Sequence, residues 1–180
     1  MTDSLFFLFM LLALVVVTGT AAMGAISAAP WVPLRKHEVR RMLKLAELKP
    51  GETVYDLGAG DGRILAVAAQ EFGAKAVGWE IALLPYLAAR IRLWRTNNAA
   101  IRFSSFFKTD FSSADVVACF LTPMAMAKLL PKLQRELKPG ARFVAYAFPL
   151  PNTQEDALDK PTQRQTRIFL YRSPLKPVND

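Results

Sequence analysis

Three regimes of hydrophobic and polar patterning follow one another along the chain. From Ser4 to Leu34, 31 residues pass without a charge, and most are apolar. From Arg35 to Phe148, short apolar runs alternate with amphipathic segments of helical spacing. From Pro149 to Gln165 the chain is polar and rich in Pro, Gln and Asp, and one last apolar run, Thr166–Tyr171, follows. The middle regime divides cleanly. Val39, Met42, Leu43 and Ala46 fall at helical spacing and predict a helix over His37–Leu48, ended by Pro50-Gly51. Thr53–Leu57 predicts a short buried strand, and Asp61 is placed to cap a helix that runs to Phe72 and stops at Gly73. Lys75–Glu80 predicts a second strand, Ile81–Thr96 a helix with Pro85 in its first turn, and Ala100–Phe103 a third strand. Asp115–Leu121 predicts the fourth strand, Met124–Leu137 a helix stopped at Pro139-Gly140, and Ala141–Phe148 the fifth strand.

Strands alternating with helices imply an α/β fold with a mainly parallel sheet and right-handed crossovers. The first strand belongs in the middle, in the order 3-2-1-4-5, with Thr166–Tyr171 antiparallel beside the fifth. Ser104–Ala114 is too short for a crossover helix. Because a single strand candidate follows the fifth strand, a terminal hairpin is expected to be reduced, and the tail after Arg172 is expected to be mobile.

The uncharged N-terminal run has its own reading. As a helix, Leu5–Ala29 would be about 37 Å long, enough to span a hydrocarbon core of about 30 Å with some tilt. Met1–Ser4 carries Asp3 and no Lys or Arg, unlike a secretory signal, so an uncleaved transmembrane anchor is expected. Trp31 sits at an interfacial position, and Thr20, Gly24 and Ala28 make a small-residue face. Pro30-Trp31-Val32-Pro33 reads as a stiff linker. The domains expected are 1–29 as anchor, 30–50 as linker and first helix, 51–172 as the main α/β domain, and 173–180 as tail.

Charge changes the picture further. All 23 Lys and Arg lie at or beyond Arg35 and only Asp3 of the 15 acids precedes it, so the remainder carries 23 − 14 = +9. Arg35, Lys36, Arg40, Arg41, Lys44 and Lys49 crowd behind the apolar run. They place that side in the cytoplasm, as a single-pass protein of a bacterial inner membrane, and favour anionic lipid as their partner. No aromatic-plus-basic motif points to nucleic acid. One Cys (Cys119) and one His (His37) exclude a disulfide framework and the usual metal sites.

The strongest chemical signal is Asp56-Leu57-Gly58-Ala59-Gly60-Asp61-Gly62-Arg63. A strand ends in an acid and a glycine turn opens a helix. No Lys-Ser/Thr follows as in a phosphate loop, and the spacing is G-x-G-x-G rather than the dinucleotide G-x-G-x-x-G. Asp56 and Asp61 would repel a pyrophosphate and welcome an ammonium or a sulfonium. Glu80, at the end of the second strand, is placed to bind both hydroxyls of a ribose. A nucleoside with a cationic amino-acid tail is S-adenosyl-L-methionine.

With these motifs the chain from Trp31 to Tyr171 resembles a Rossmann-like class I S-adenosylmethionine-dependent methyltransferase. More narrowly it resembles the membrane-associated protein-lysine methyltransferases that modify the adenine nucleotide translocase and the ATP synthase c-subunit. Pro30–Pro33, Gly78-Trp79-Glu80, Leu121-Thr122-Pro123, Leu133–Gly140 and Phe148–Pro151 carry the narrower likeness. The resemblance implies that Asp56, Gly58, Ala59, Gly60 and Asp61 hold the methionine end of the cofactor, Glu80 the ribose, and Ser105 and Phe106 the adenine. Phe107 is expected to pack in the core. The family has Asn or Asp at the Ser105 position, Tyr at that of Phe120, and a polar residue at that of Ala147. Phe107, Phe120, Phe148 and Trp31 would line an acceptor slot, with Asp110 and Asp61 as nearby acids and Asp110, Phe120 and Thr122 as catalytic candidates. The expected activity is methylation of a lysine in a membrane or membrane-associated protein. The alternatives are a methyltransferase acting on a small or lipid-like molecule and a non-catalytic binding module for the cofactor.

Overall fold

The computed structural model describes residues 2–27 and 32–178, and within the first helix the side chains of 4–12, 14–15 and 18–19. Trp31, Pro30 and the small-residue face at Thr20, Gly24 and Ala28 therefore lie outside the described residues and side chains. Seven strands form one sheet: β1 (Thr53–Leu57), β2 (Lys75–Glu80), β3 (Ala99–Phe103), β4 (Val116–Cys119), β5 (Arg142–Tyr146), β6 (Ala157–Asp159) and β7 (Ile168–Arg172). Their order is β3-β2-β1-β4-β5-β7-β6. β1 to β5 run parallel, and β7 lies antiparallel to both β5 and β6. The helices are α1 (Thr2–Ser27), α2 (Lys36–Leu45), α3 (Arg63–Phe72), α4 (Leu83–Arg92) and α5 (Pro123–Glu136).

The period-two alternation of the strands sorts side chains to two cores. Val54, Val144, Ile168 and Leu170 face one layer with Val39, Met42, Leu43 of α2 and Ile64, Leu65 of α3. Leu57, Phe143, Phe169 and Tyr171 face the other with Met126, Leu129 and Leu133 of α5. Buried Arg142 ties α2 to β5 by donating to the carbonyls of Ala46 (3.0 Å) and Glu47 (2.9 Å) and to the Glu52 carboxylate (2.6 Å).

The sheet order 3-2-1-4-5 and the antiparallel last strand are as expected, and between β3 and β4 only a single 3-10 turn forms, Phe106–Lys108. Three expectations are corrected. The terminal hairpin is complete, because Ala157–Asp159 adds the seventh strand. That segment is a three-residue edge with no alternation, held by Arg41 Nε on the Asp159 carboxylate (2.8 Å). The tail is tied down through Val178: the Gln154 amide donates to the Lys176 carbonyl (2.9 Å) and the Val178 amide to that of Asn152 (3.2 Å). α2 ends at Leu45 rather than Leu48, since Glu47 turns to φ +51° and the Leu48 amide closes back on the Leu43 carbonyl (3.1 Å). Among the described residues no helix is long and apolar enough to cross a membrane, so the expected span is left without support from the structure.

Candidate functional site

The site lies where the carboxyl ends of β1, β2, β4 and β5 converge, at the reversal of strand order beside β1. β1 leaves the sheet through Gly58 and Gly60, both at positive φ (+77° and +54°), into Gly62 (+75°), which caps α3. A side chain on Gly62 would meet Ala89 Cβ at 3.1 Å, and one on Gly78 would meet Ala59 Cβ and Leu65 Cδ1 at 2.7 Å. Glycine is therefore required here both for backbone angle and for the close approach of turn, strand and helix.

The turn's amides point into the protein. Those of Gly58 and Ala59 donate to the Trp79 carbonyl (3.1 and 2.9 Å), and that of Gly60 to Glu80 Oε2 (2.9 Å). Glu80 Oε1 accepts from the amides of Ile81 (2.8 Å) and Ala82 (2.7 Å), at the entry to α4. This arrangement is no anion nest. Its donors are committed, and the group left without a partner is an acceptor. Asp56, buried at the end of β1, has Oδ2 with no hydrogen-bond partner. Burial, followed by the neighbouring Glu80 and Asp61 carboxylates, holds its pKa well above the ordinary aspartate range. A buried, unpartnered carboxyl group flanked by carboxylates is a receptor for a cationic donor such as an ammonium.

Asp61 behaves differently from expectation. It does not cap α3. Its carboxylate accepts from Arg63 Nε (2.8 Å) and Arg92 Nη2 (2.7 Å), while Arg92 Nε holds its carbonyl (2.7 Å). Arg63 also donates to the Leu34 carbonyl (2.8 Å), fastening the incoming linker to the turn. Asp61 thus serves as a neutralised strut between linker, turn and α4. The sequence pattern held no signal for the Arg92 partner, 31 residues away.

After β3, Ser105 caps the 3-10 turn, accepting from the Phe107 amide at 3.4 Å. Phe107, half-buried, packs against the core as expected, and Phe106 is buried within it, with ring centroids 4.4 Å apart. After β4, Phe120 packs edge-on to Tyr146 of β5 (5.0 Å), and Thr122 caps α5, accepting from the Ala125 amide (3.4 Å). After β5, Ala147 takes φ +71° and the Phe148 amide turns back to the Tyr146 carbonyl (2.9 Å), leaving Phe148 partly exposed. Phe120, Tyr146 and Phe148 thus gather at one strand end. Tyr146 escaped the sequence reading, although it adjoins Ala147. Asp110 lies on the surface. Its carboxylate accepts from the amide (2.9 Å) and hydroxyl (2.6 Å) of Ser112, and these bonds hold its pKa below the usual range. It is an exposed turn residue there. Among the described residues no cluster could hold a metal ion.

The profile of the ANTKMT methyltransferase domain matches residues 56–157. A protein-lysine N-methyltransferase of Saccharolobus islandicus is 42% identical over 130 residues, 70% of this chain and 81% of the relative. A lysine N-methyltransferase of the ATP synthase c-subunit from Xenopus laevis is 39% identical over 132 residues, covering 71% of this chain and 57% of its own. The chain therefore spans just over half the length of that vertebrate relative. Among solved structures, an RNA methyltransferase from Salinibacter ruber in complex with S-adenosyl-L-homocysteine superposes with a TM-score of 0.75 at 32% identity, covering 83% of this chain and 96% of that one.

Proposed function

We infer the acceptor and the site roles from the premise that the chain belongs to the ANTKMT methyltransferase family and is an S-adenosylmethionine-dependent methyltransferase. The reading is a protein-lysine N-methyltransferase acting on a membrane protein, with its domain held at the cytoplasmic face of the membrane by the apolar segment of residues 1–29. The observation that carries the cofactor site is the unpartnered Asp56 Oδ2 at the mouth of the glycine turn. The names of the relatives support lysine as acceptor, and the 31 uncharged residues with basic flank support the membrane.

S-adenosylmethionine supplies a methyl carbon already activated by its sulfonium. Asp56 would hold the ammonium of its amino-acid end, and the Gly58-Ala59-Gly60 backbone would lie against that end. Glu80 would take the ribose hydroxyls, and Ser105 with Phe106 or the more open Phe107 the adenine. Asp61, paired with two arginines, would fix the shape of the turn beside that end. The acceptor amine must arrive neutral, and Phe120, Tyr146 and Phe148 provide apolar walls that disfavour its ammonium form. Alignment of the nitrogen opposite the departing sulfur is the main task left to the protein.

The test is transfer of labelled methyl groups to membranes from a strain lacking the protein, with the acceptor residue read by mass spectrometry. Nε-methyllysine in a membrane protein, formed faster by the full chain than by one lacking residues 1–29, is expected. Label recovered in RNA, as the Salinibacter ruber neighbour's name would suggest, or in a small molecule would overturn the acceptor assignment.

A further inference from the structure

α4 presents to solvent an apolar face that the sheet and its other helices leave uncovered. Its inner side buries Pro85 and Ala89. Its outer side carries Leu84 (42% exposed), Leu87 (45%), Ile91 (76%) and, just past its end, Trp94 (84%). Positions 84, 87, 91 and 94 fall at the three- and four-residue spacing of a single helical stripe. Phe103 of the neighbouring edge strand, 53% exposed, extends the patch and stacks on Tyr86 at 5.1 Å. A run of large exposed apolar groups ending in an exposed tryptophan marks an interaction surface.

Charge identifies the occupant. From Ile81 to Thr109 the sequence has no acidic residue and holds Arg90, Arg92, Arg95, Arg102 and Lys108. Arg92 is committed to Asp61, whereas Arg90, Arg95, Arg102 and Lys108 form no ion pair among the described residues. Arg90 sits over the Tyr86 ring beside the apolar stripe, and Arg95 follows Trp94 at its end, whereas Arg102 stacks over Trp79 on the other face of the sheet. An apolar helical face edged with unpaired arginines and a terminal tryptophan matches the boundary between acyl chains and anionic headgroups. α1, the apolar N-terminal helix, also meets the domain at α4.

We propose that the Leu84–Trp94 face of α4 is a membrane-docking surface that seats in an anionic bilayer. α4 begins three residues after Glu80, so this seating brings the rim of the candidate cofactor site to the bilayer surface. The proposal deepens the membrane reading of the function and adds a contact separate from residues 1–29.

The test uses the full chain in a Trp31→Phe background, where the exposed Trp94 reports and the buried Trp79 gives a steady background. The protein is mixed with vesicles of phosphatidylcholine alone, or with phosphatidylglycerol at a 7:3 ratio, each with brominated acyl chains, and floated. Quenching of the Trp94 emission by about half in the anionic vesicles is expected. Leu87→Asp/Ile91→Asp should abolish it while leaving flotation and S-adenosylhomocysteine binding intact, and Arg90→Gln/Arg95→Gln should remove the preference for phosphatidylglycerol. Flotation on both vesicles without Trp94 quenching overturns the docking surface and leaves the N-terminal attachment standing. Flotation and quenching on anionic vesicles alone support the docking surface and overturn that attachment. Flotation on neither overturns both. Trp94 shielding produced by polyuridine RNA and not by lipid, or by dimerisation in detergent that Ile91→Asp reverses, assigns the face to RNA or to a second copy and overturns the proposal.

Discussion

Replacing Asp56 by Asn should move stability and cofactor affinity in opposite directions. In the ligand-free protein Asp56 Oδ2 is buried without a partner, and burial with two neighbouring carboxylates disfavours its ionised form. Because the folded pKa lies above the unfolded one, the folded state binds more protons than the unfolded state between the two. Stability therefore falls as pH rises from about 4 through the folded pKa. Asn removes that loss at little change in shape. Removing the cost of ionising this buried carboxyl contributes about 1–3 kcal/mol, which raises the melting temperature at neutral pH by roughly 2–10 °C for a domain of this size. Below about pH 4 both forms are neutral and the difference should close. The ligand reverses the sign. A charge-assisted bond from an ammonium to Asp56 contributes about 1.5–3 kcal/mol, so Asn should weaken S-adenosylhomocysteine roughly 10- to 150-fold. Scanning calorimetry across pH without ligand and titration calorimetry with it read the two arms. A variant that melts lower at neutral pH and binds as tightly as wild type would refute the assignment of Asp56 as the ammonium receptor.

Glu80→Ala frees the amides of Gly60, Ile81 and Ala82 and removes the proposed ribose contact. Losing bonds to a charged group should weaken S-adenosylhomocysteine roughly 10- to 100-fold, and unchanged affinity would place the ribose elsewhere. Gly78→Ala puts a methyl group 2.7 Å from Ala59 and Leu65. Overpacking of about 1–3 kcal/mol should lower the melting temperature and displace the cofactor turn, and a neutral result would show that the contact relaxes freely. Arg92→Ala strips one partner from the buried Asp61 carboxylate and should destabilise by about 1–3 kcal/mol while affinity stays within about threefold once thermal stability is allowed for. A large loss of affinity without destabilisation would return Asp61 to the ligand.

The parts of the site legible in sequence are those whose meaning is local. Asp56 ends a strand, Gly58 and Gly60 turn it, and Glu80 ends the next strand, so a dozen neighbouring residues carry both backbone angle and charge. The central order of the sheet follows from the alternation of Thr53–Leu57, Lys75–Glu80 and Asp115–Leu121 with helices between them. What stayed hidden depends on distant partners. Nothing near Asp61 reveals that Arg92 will neutralise it, and the same local signal fits a cap or a ligand contact. Ala157–Asp159 is too short to show a period and becomes a strand because β7 offers it an edge. Phe106 and Phe107 are adjacent on a single turn, and only the packed core decides which is buried. For α4 the sequence predicts a helix and nothing more, since periodicity gives a stripe but not what covers it.

Three carboxylates meet within this loop, and the structure resolves their repulsion unequally. Glu80 is answered by three backbone amides and Asp61 by two guanidinium groups, so Asp56 is the one left for a ligand to satisfy. The arginines that settle Asp61 are not neutral bystanders. Arg63 reaches the carbonyl of Leu34 in the segment leaving the N-terminal helix, and Arg92 belongs to α4. Linker, cofactor turn and α4 are thereby fastened at one buried carboxylate. If the bilayer engages the linker from one side and the α4 face from the other, it acts on elements that share this strut. The orientation of the domain on the membrane and the shape of the glycine turn then share one strut, and loss of Asp61 itself, rather than of one of its two arginines, would loosen both together.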